Sequence, residues 1–262
     1  MKANVMMKTL SLAVLGLAGL SFAGASMAAC QATWGGNQTP PGPWGTALQT
    51  QAAVSVTTPG LVSTECKLTV GLNQNSSPSA KGGAVDPTPN AEQRYRARFV
   101  TSTAIALTQL NRSALIFNVV GPNAAAGGTQ NALQVFLIGN GTARGLRFFV
   151  GDTVAAGQYR QVDIALPNQA GANRIEIDLT FAAGAGTNGQ LRYWVSDQAT
   201  ATTDGSPTGP AVTGLANGAW GGVDQVVLGI ATASGLWRSS YTNTDFVDFD
   251  EFDSRRQTFI GQ

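Results

Sequence analysis

The amino-acid sequence predicts an all-β fold, a two-sheet antiparallel β-sandwich of the jelly-roll type with about ten to twelve strands. Three observations support this prediction. Short segments alternate apolar and polar residues with a period of two, and clusters of Gly, Asn, Ser and Pro separate these segments. Beyond the first residues, no segment has the apolar spacing of an amphipathic helix.

The clearest pair of strands spans residues 174–197, where two alternating segments flank a Gly-rich connection at 182–189. One row of side chains is apolar: Ile175, Ile177, Leu179, Leu191, Tyr193 and Val195. The opposite row is polar or aromatic: Glu176, Asp178, Thr180, Arg192, Trp194 and Ser196. This pattern predicts a β-hairpin at the centre of the fold, and by the pattern alone either row can face the core.

Nine further segments have strand character: 52–58, 61–71, 93–103, 114–120, 132–138, 146–150, 158–166, 223–231 and 246–254. Loops are predicted at four segments rich in turn residues: 73–90, 121–131, 139–145 and 200–218. The strand at 93–103 places Arg94, Arg96 and Arg98 on one face. Three arginines on one face must meet solvent, acidic residues or a ligand.

A secretory leader is predicted at residues 1–28. Lys2 and Lys8 accompany an apolar run at 9–22, and small residues follow at 25–28. A run of about 14 residues is short for a bilayer, which needs roughly 20, so we expect cleavage and a secreted or periplasmic protein without a transmembrane segment. Residues 29–60 are predicted to form a Pro/Gly-rich lead-in with the first strand, and residues 61–262 the sandwich domain.

The two cysteines, Cys30 and Cys66, are predicted to form a disulfide, because an even pair in an exported chain usually does. The cross-link would contribute roughly 3–4 kcal/mol to stability in the chain-entropy model. The alternative is that Cys30 is the lipidated first residue of a lipoprotein. Met27 fits that signal poorly, so the disulfide is favoured.

Charge and composition exclude several functions. Without the two leader lysines the chain carries 14 basic and 15 acidic residues, so it lacks the basic excess that nucleic acids and anionic membranes attract. The chain contains no histidine, which excludes His-dependent triads and His-ligated zinc or copper. An enzyme built on this chain must use carboxylates, Tyr, Arg or Ser.

Five sequence motifs, taken in order, resemble those of a known family: 66–70 (CKLTV), 89–99 (PNAEQRYRARF), 174–177 with 191–195 (RIEI and LRYWV), 226–230 (VVLGI) and 246–256 (FVDFDEFDSRR). Their order resembles concanavalin A-like jelly rolls of the laminin-G-like kind found in secreted bacterial proteins. The resemblance implies that the strand at 93–103 and the last strand lie close together and that the hairpin crosses the concave sheet. The superfamily includes lectins, carbohydrate-binding modules, glucanases, lyases and adhesion domains, so the fold does not select a function.

Glu176 and Asp178 resemble the start of the catalytic strand of jelly-roll β-glucanases, E-x-D-x-(x)-E. Retaining hydrolysis needs two carboxyl groups about 5–5.5 Å apart. In this chain the residue four positions after Glu176 is Thr180, which cannot donate a proton as a carboxylic acid does. We therefore expect an ordinary polar strand face here and assign no catalytic residue.

Five acidic residues cluster near the end of the sequence: Asp245, Asp248, Asp250, Glu251 and Asp253. Oxygen-rich clusters bind Ca²⁺, so Asp245, Asp248 and Asp250 are candidate ligands of a structural calcium ion. The alternative, which we favour, is cross-strand pairing of the cluster with the three arginines of 93–103. No other cofactor is expected.

Four aromatic residues are candidates for a sugar platform: Trp194, Trp220, Trp237 and Tyr241. Flat rings pack against the apolar face of a pyranose, and charged neighbours bind its hydroxyls. Trp194 shares a strand face with Arg192, so Glu176, Asp178, Arg192 and Trp194 are the candidate ligand-binding residues. Core packing is the alternative role for these aromatics.

From the sequence we expect a secreted, non-catalytic protein that binds a glycan or another extracellular partner on the concave sheet. Two alternatives remain open. One is a polysaccharide hydrolase or lyase with an atypical carboxylate site, and the other is a structural or adhesion sandwich without a small ligand.

Overall fold

A computed structural model describes residues 46–50, 53–62, 66–71, 81–103, 110–125, 128–140, 143–233, 246–255 and 258–261. Fourteen strands lie in these ranges: β1 Thr46–Thr50, β2 Ala53–Thr57, β3 Lys67–Gly71, β4 Lys81–Asp86, β5 Arg94–Thr103, β6 Leu110–Val120, β7 Asn131–Asn140, β8 Arg144–Gly151, β9 Tyr159–Ala165, β10 Asn173–Thr180, β11 Gly189–Asp197, β12 Val212–Leu215, β13 Gln225–Ala233 and β14 Phe246–Arg255. The helical structure in the same ranges consists of single 3-10 turns at Ala156–Gln158 and Gly218–Trp220.

The strands form two seven-stranded antiparallel sheets. Sheet A has the order β1-β4-β13-β6-β7-β8-β9, and sheet B has the order β12-β11-β10-β5-β14-β3-β2. The predicted all-β, two-sheet sandwich is confirmed. The expected contact between the strand at 93–103 and the last strand is also present, because β5 pairs with β14.

The core lies between the two sheets, and alternate residues of most strands with described side chains fill it. Aromatic rings from opposite sheets meet there. Phe99 of sheet B stacks on Phe117 of sheet A with ring centroids 5.2 Å apart, and Tyr193 of sheet B stacks on Phe148 of sheet A at 5.3 Å. The apolar row of the predicted hairpin therefore faces the core, and the polar row faces away from it.

Three strands were not predicted from the sequence. β1 and β12 are the edge strands of their sheets, with five and four residues, too short to show a clear period of two. β4 falls in the predicted loop 73–90, because its sequence KGGAVD contains two glycines. The predicted strand at 61–71 is shorter than expected, since β3 begins at Lys67.

The glycines of β4 have a packing role. Gly83 lies opposite Gly229 of β13, and a Cβ atom on Gly83 would overlap the backbone carbonyl of Leu228. Gly229 has φ +140°, a conformation that other residues rarely adopt. The two backbones therefore approach each other so closely that a side chain on Gly83 is excluded.

Several predictions concern residues outside the described ranges: the leader 1–28, most of the lead-in 29–60, and Cys30. The domain boundaries and the Cys30–Cys66 disulfide accordingly stay predictions. Cys66 itself is half-buried and packs against the core. Within the described ranges, no helix has the length and apolar character needed to cross a membrane.

We predict that Gly83→Ala destabilises the protein by about 1–3 kcal/mol, because the added methyl group forces the β4 and β13 backbones apart. Urea unfolding followed by fluorescence measures the change. Gly205→Ala is the control, since a Cβ atom at Gly205 meets nothing within 4 Å and should alter the unfolding free energy by less than about 0.5 kcal/mol. Equal unfolding midpoints for the two variants would contradict the packing role of Gly83.

Candidate functional site

The outward side of β5, β10 and β11 in sheet B forms a polar surface, called here the polar face. Its members are Arg94, Arg96, Arg98, Glu176, Asp178, Arg192 and Trp194. Period-two alternation creates it, because the intervening residues of each strand fill the core. Strand pairing places Asp178 between Arg96 and Arg192, and Glu176 between Arg98 and Trp194.

Asp178 is the centre of an ion cluster on this face. Arg94 donates two hydrogen bonds to its carboxylate, each 2.9 Å long. Arg96 donates a third bond of 2.8 Å, and a guanidinium nitrogen of Arg192 lies 3.6 Å from the same carboxylate. Asp178 and Arg96 are only 2% and 1% exposed, so this pair is shielded from solvent and weakly screened, whereas the Arg94 side chain reaches solvent.

The pKa of Asp178 lies below its ordinary value. Burial alone acts to raise it, but the hydrogen bond from Arg94 and the charge of Arg96 outweigh burial. Asp178 is therefore held in the ionised form and is unsuited to donate a proton.

The loop between β11 and β12 closes one side of the polar face. The carboxylate of Asp204 accepts hydrogen bonds from Arg96 at 3.0 Å and from Arg192 at 3.1 Å. The indole N–H of Trp194 donates to the carbonyl of Thr203 at 2.9 Å. The Arg192 guanidinium also lies over the Trp194 ring, 4.8 Å from its centroid, which adds a cation–π contact.

A second element, Thr258 to Gly261, covers the other side and is called here the covering segment. The backbone N–H groups of Ile260 and Gly261 donate to the two carboxylate oxygens of Glu176 at 2.9 and 3.0 Å. Arg98 donates to the carbonyl of Gly261. The ring of Phe259 packs on that of Trp194 with centroids 5.1 Å apart. Glu176 and Trp194 are consequently each only 1% exposed.

The pKa of Glu176 is raised above its ordinary value. Burial is the main cause, and the hydrogen bonds from Ile260 and Gly261 with the charges of Arg96 and Arg98 offset it only in part. The two carboxylates of the polar face thus differ: Asp178 stays ionised, and Glu176 holds a proton more readily. Opposite shifts of this kind are common where acid–base chemistry occurs.

The structure brings together the four ligand-binding candidates predicted from the sequence, Glu176, Asp178, Arg192 and Trp194. The prediction omitted the residues that complete the site from other parts of the chain: Arg94, Arg96, Arg98, Asp204 and the covering segment. The three arginines were recognised as a charged strand face but not as partners of the hairpin. Residues 94–98 and 174–180 show the same alternation of apolar and charged residues. This match could have predicted that the two strands are neighbours, with their charged side chains on the same face.

The calcium candidates occupy a different position. Asp248 accepts hydrogen bonds from Lys67 and Thr69, each 2.7 Å long, and Asp250 accepts backbone N–H bonds from Leu61 and Glu251. Asp245 lies outside the described residues. Within the described ranges, no group of three or more His, Cys, Asp or Glu side chains is arranged to hold a metal ion.

The expected pairing of the arginines with this acidic cluster is wrong for Arg94 and Arg96, which bind Asp178 instead. The reason is geometric: β10 lies on the other side of β5 and presents Asp178 directly opposite Arg96. Arg98 alone approaches the cluster, with Glu251 at 3.9 Å. Trp220 is a core residue, and Trp237 and Tyr241 lie outside the described residues.

We predict that Asp178→Asn destabilises the protein by about 3–5 kcal/mol at neutral pH, because it removes the buried negative charge that pairs with the buried guanidinium of Arg96. Urea unfolding measures this loss. The control is Asp163→Asn, which breaks the ion pair with Arg147, both partners being more than a third exposed, and should cost less than about 1 kcal/mol. Similar costs for the two variants would show that the Asp178 cluster is not a buried ion pair.

A pH dependence follows from the lowered pKa of Asp178. Its stabilising effect is complete above the pKa of an unfolded Asp, about 3.9, and disappears as the pH falls through the lower folded value. We therefore expect the difference in unfolding free energy between wild type and Asp178→Asn to shrink as the pH is lowered from about 5 to 2. Unfolding curves across this range measure the difference, and a constant difference would contradict the assignment.

No protein-family model matches the chain, and no curated protein matches its sequence. Solved structures do match its fold. The endo-β-1,4-glucuronan lyase of the fungus Trichoderma reesei superposes with a TM-score of 0.56 at 12% identity, over 84% of this chain and 94% of that one. The PL-14 alginate lyase of Aplysia kurodai gives 0.55 at 10% identity, over 78% and 87% of the two chains.

The alginate lyase vAL-1 of a Chlorella virus is similar at the same level, with a TM-score of 0.53 and 11% identity over 82% of this chain and 93% of that one. Structural similarity at 10–12% sequence identity establishes a shared fold and does not establish a shared activity. The chain therefore shares the β-sandwich architecture of these polysaccharide lyases, and the laminin-G-like relationship expected from the sequence stays a prediction.

Proposed function

We propose that this protein is a lyase acting on a uronate-containing polysaccharide, which binds across the polar face of sheet B. The observation that carries the proposal is the gathering of Arg94, Arg96, Arg98 and Arg192 on one face beside the indole of Trp194. Planar guanidinium groups match the carboxylates of uronate residues. The solved structures with a similar fold act on glucuronan and alginate, which are polymers of this class.

The chemistry of the face favours elimination over hydrolysis. Hydrolysis requires a second carboxyl group as the partner of Glu176. Asp178 is held ionised by arginines, and Thr180 occupies the other strand position available for that partner. Elimination instead requires neutralisation of the uronate carboxylate, so that the neighbouring C–H can lose its proton.

We assign these tasks to two residues. Arg98 would neutralise the substrate carboxylate, since its buried Nε has no hydrogen-bond partner among the described residues. Glu176 would take the C–H proton as the glycosidic carbon–oxygen bond breaks and the carbon–carbon double bond forms, and would then give that proton to the departing oxygen. Its raised pKa suits it to hold a proton between these two steps. The expected leader at 1–28 would export the protein to where such polymers occur.

A second candidate function is non-catalytic binding of the same polymers. The tyrosines of the described sheet B strands, Tyr95 and Tyr193, both lie in the core, and burial raises the pKa of Tyr193. Neither phenol is placed to remove a proton on the polar face. A binder would need only the arginines, Glu176 and Trp194.

Incubation with glucuronan or alginate distinguishes the two functions. A lyase creates a carbon–carbon double bond conjugated to the uronate carboxylate, so ultraviolet absorbance should rise with time. Binding measured by calorimetry without this absorbance would establish the second function. If neither an absorbance increase nor binding is observed, the lyase function and the binding function are both contradicted.

We predict that Arg98→Ala lowers the elimination rate by about 10²-fold, because a group that stabilises developing negative charge is removed. The initial rate of absorbance increase measures this effect. The control is Arg147→Ala, on an exposed ion pair of sheet A, which should leave the rate unchanged. Equal rates for Arg98→Ala and wild type would exclude Arg98 from the site.

A further inference from the structure

The covering segment occupies the part of the polar face where a ligand would be expected. Phe259, Ile260 and Gly261 lie over Glu176, Trp194 and Arg96. We infer that this segment is a releasable internal ligand, which occupies the position of one sugar residue and is displaced when a uronate polysaccharide binds. The inference rests on the proposed function for the identity of the ligand.

The hydrogen bonds to Glu176 are of a kind that a sugar can replace. The segment offers two adjacent N–H donors, one to each carboxylate oxygen. Two neighbouring hydroxyl groups of a pyranose present the same pair of donors to a carboxylate. Exchange of the segment for a sugar therefore leaves the buried Glu176 carboxylate with its hydrogen bonds.

The contact with Trp194 can be replaced in the same way. The ring of Phe259 covers the indole at 5.1 Å with an interplanar angle of 56°. The apolar face of a pyranose ring can cover the same indole surface. The indole N–H takes no part in this contact, because it donates to Thr203 instead, so Trp194 stays anchored when its upper surface changes partner.

Two N–H groups of Arg96 would gain hydrogen-bond acceptors if a uronate replaced the covering segment. Its guanidinium lies 5.7 Å from the centroid of the Phe259 ring, and the side chain is 1% exposed. The Nη2 group binds Asp178 and Asp204, whereas Nε and Nη1 have no hydrogen-bond acceptor among the described residues. The Phe259 ring offers these groups only a cation–π contact, whereas the carboxylate of a uronate can accept charge-assisted hydrogen bonds from them.

Few hydrogen bonds resist the release of the covering segment. Within the described ranges it forms no strand pairing with sheet B. Its hydrogen bonds with other described residues are the two to Glu176, the bond from Arg98 to Gly261, and a long bond of 3.4 Å from Arg255 to the Phe259 carbonyl. Segments with few ladder bonds open locally, without unfolding of the domain.

Hydrogen exchange of the free protein tests the release directly and needs no ligand. The amides of Ile260 and Gly261 should exchange about 10²-fold faster than that of Ile177 in the middle of β10, because the segment opens locally. Exchange of all three amides at the rate of global unfolding would overturn the inference.

Affinity provides the second test, with alginate and glucuronan oligomers as probes. Phe259→Ala weakens the internal ligand, so the probes should bind about tenfold more tightly than to wild type, because more of the protein has an open face. Phe149→Ala is the matched control. It removes a half-buried ring that packs on Phe136 and Tyr159 of sheet A, and should leave affinity unchanged.

The outcomes separate the inference from the proposed function. Tighter binding by Phe259→Ala, with faster exchange of the Ile260 and Gly261 amides when oligomer is added to wild type, supports the internal ligand and the binding of uronate polymers to the polar face. Weaker or unchanged binding by Phe259→Ala overturns the internal ligand, since Phe259 would then belong to the binding surface or lie apart from it. If neither protein binds either oligomer while the segment still exchanges locally, the proposed function fails and the release of the segment stands.

Discussion

The carboxylate of Asp178 is the interaction on which the polar side of sheet B depends. It lies on β10, between β5 and β11 in sheet B. Arg94 and Arg96 of β5 bind it, and Arg192 of β11 approaches it. Without that negative charge, the buried guanidinium of Arg96 would lie between those of Arg94 and Arg192 with only Asp204 as a counter-charge, and like charges repel strongly where solvent is excluded. The cluster thereby fixes the outward side chains of three neighbouring strands relative to each other.

Sheet B is unusual in being buried on both sides at its centre. Its inward side is an apolar core formed with sheet A. Its outward side is shielded by Thr203 and Asp204 from one direction and by the covering segment from the other. An outward row of charged residues is normally solvated, so covering it requires a partner for each charge. The Nε and Nη1 groups of Arg96 lack such a partner among the described residues, and the proposed ligand would supply it.

Much of the fold could be predicted from the sequence, because alternation with a period of two is a local property. The hairpin 174–197 was recognised from its own residues. β4 was not, because Gly82 and Gly83 resemble a turn until the neighbouring strand is known. The cover over Glu176 was beyond prediction for a different reason: its donors are backbone N–H groups 84 and 85 residues away, and every residue other than proline carries such a donor.

The use of backbone donors has an evolutionary consequence. Because Glu176 contacts main-chain N–H groups, the hydrogen bonds of the covering segment depend little on which side chains it carries. The hydrogen bond from position 260 needs only a residue with an N–H, and position 261, at φ +67°, favours glycine. Substitution of Phe259 alone can therefore change how tightly the covering segment binds to the polar face. Related proteins could in this way differ in how readily their sites open while the charged residues of the sheet remain the same.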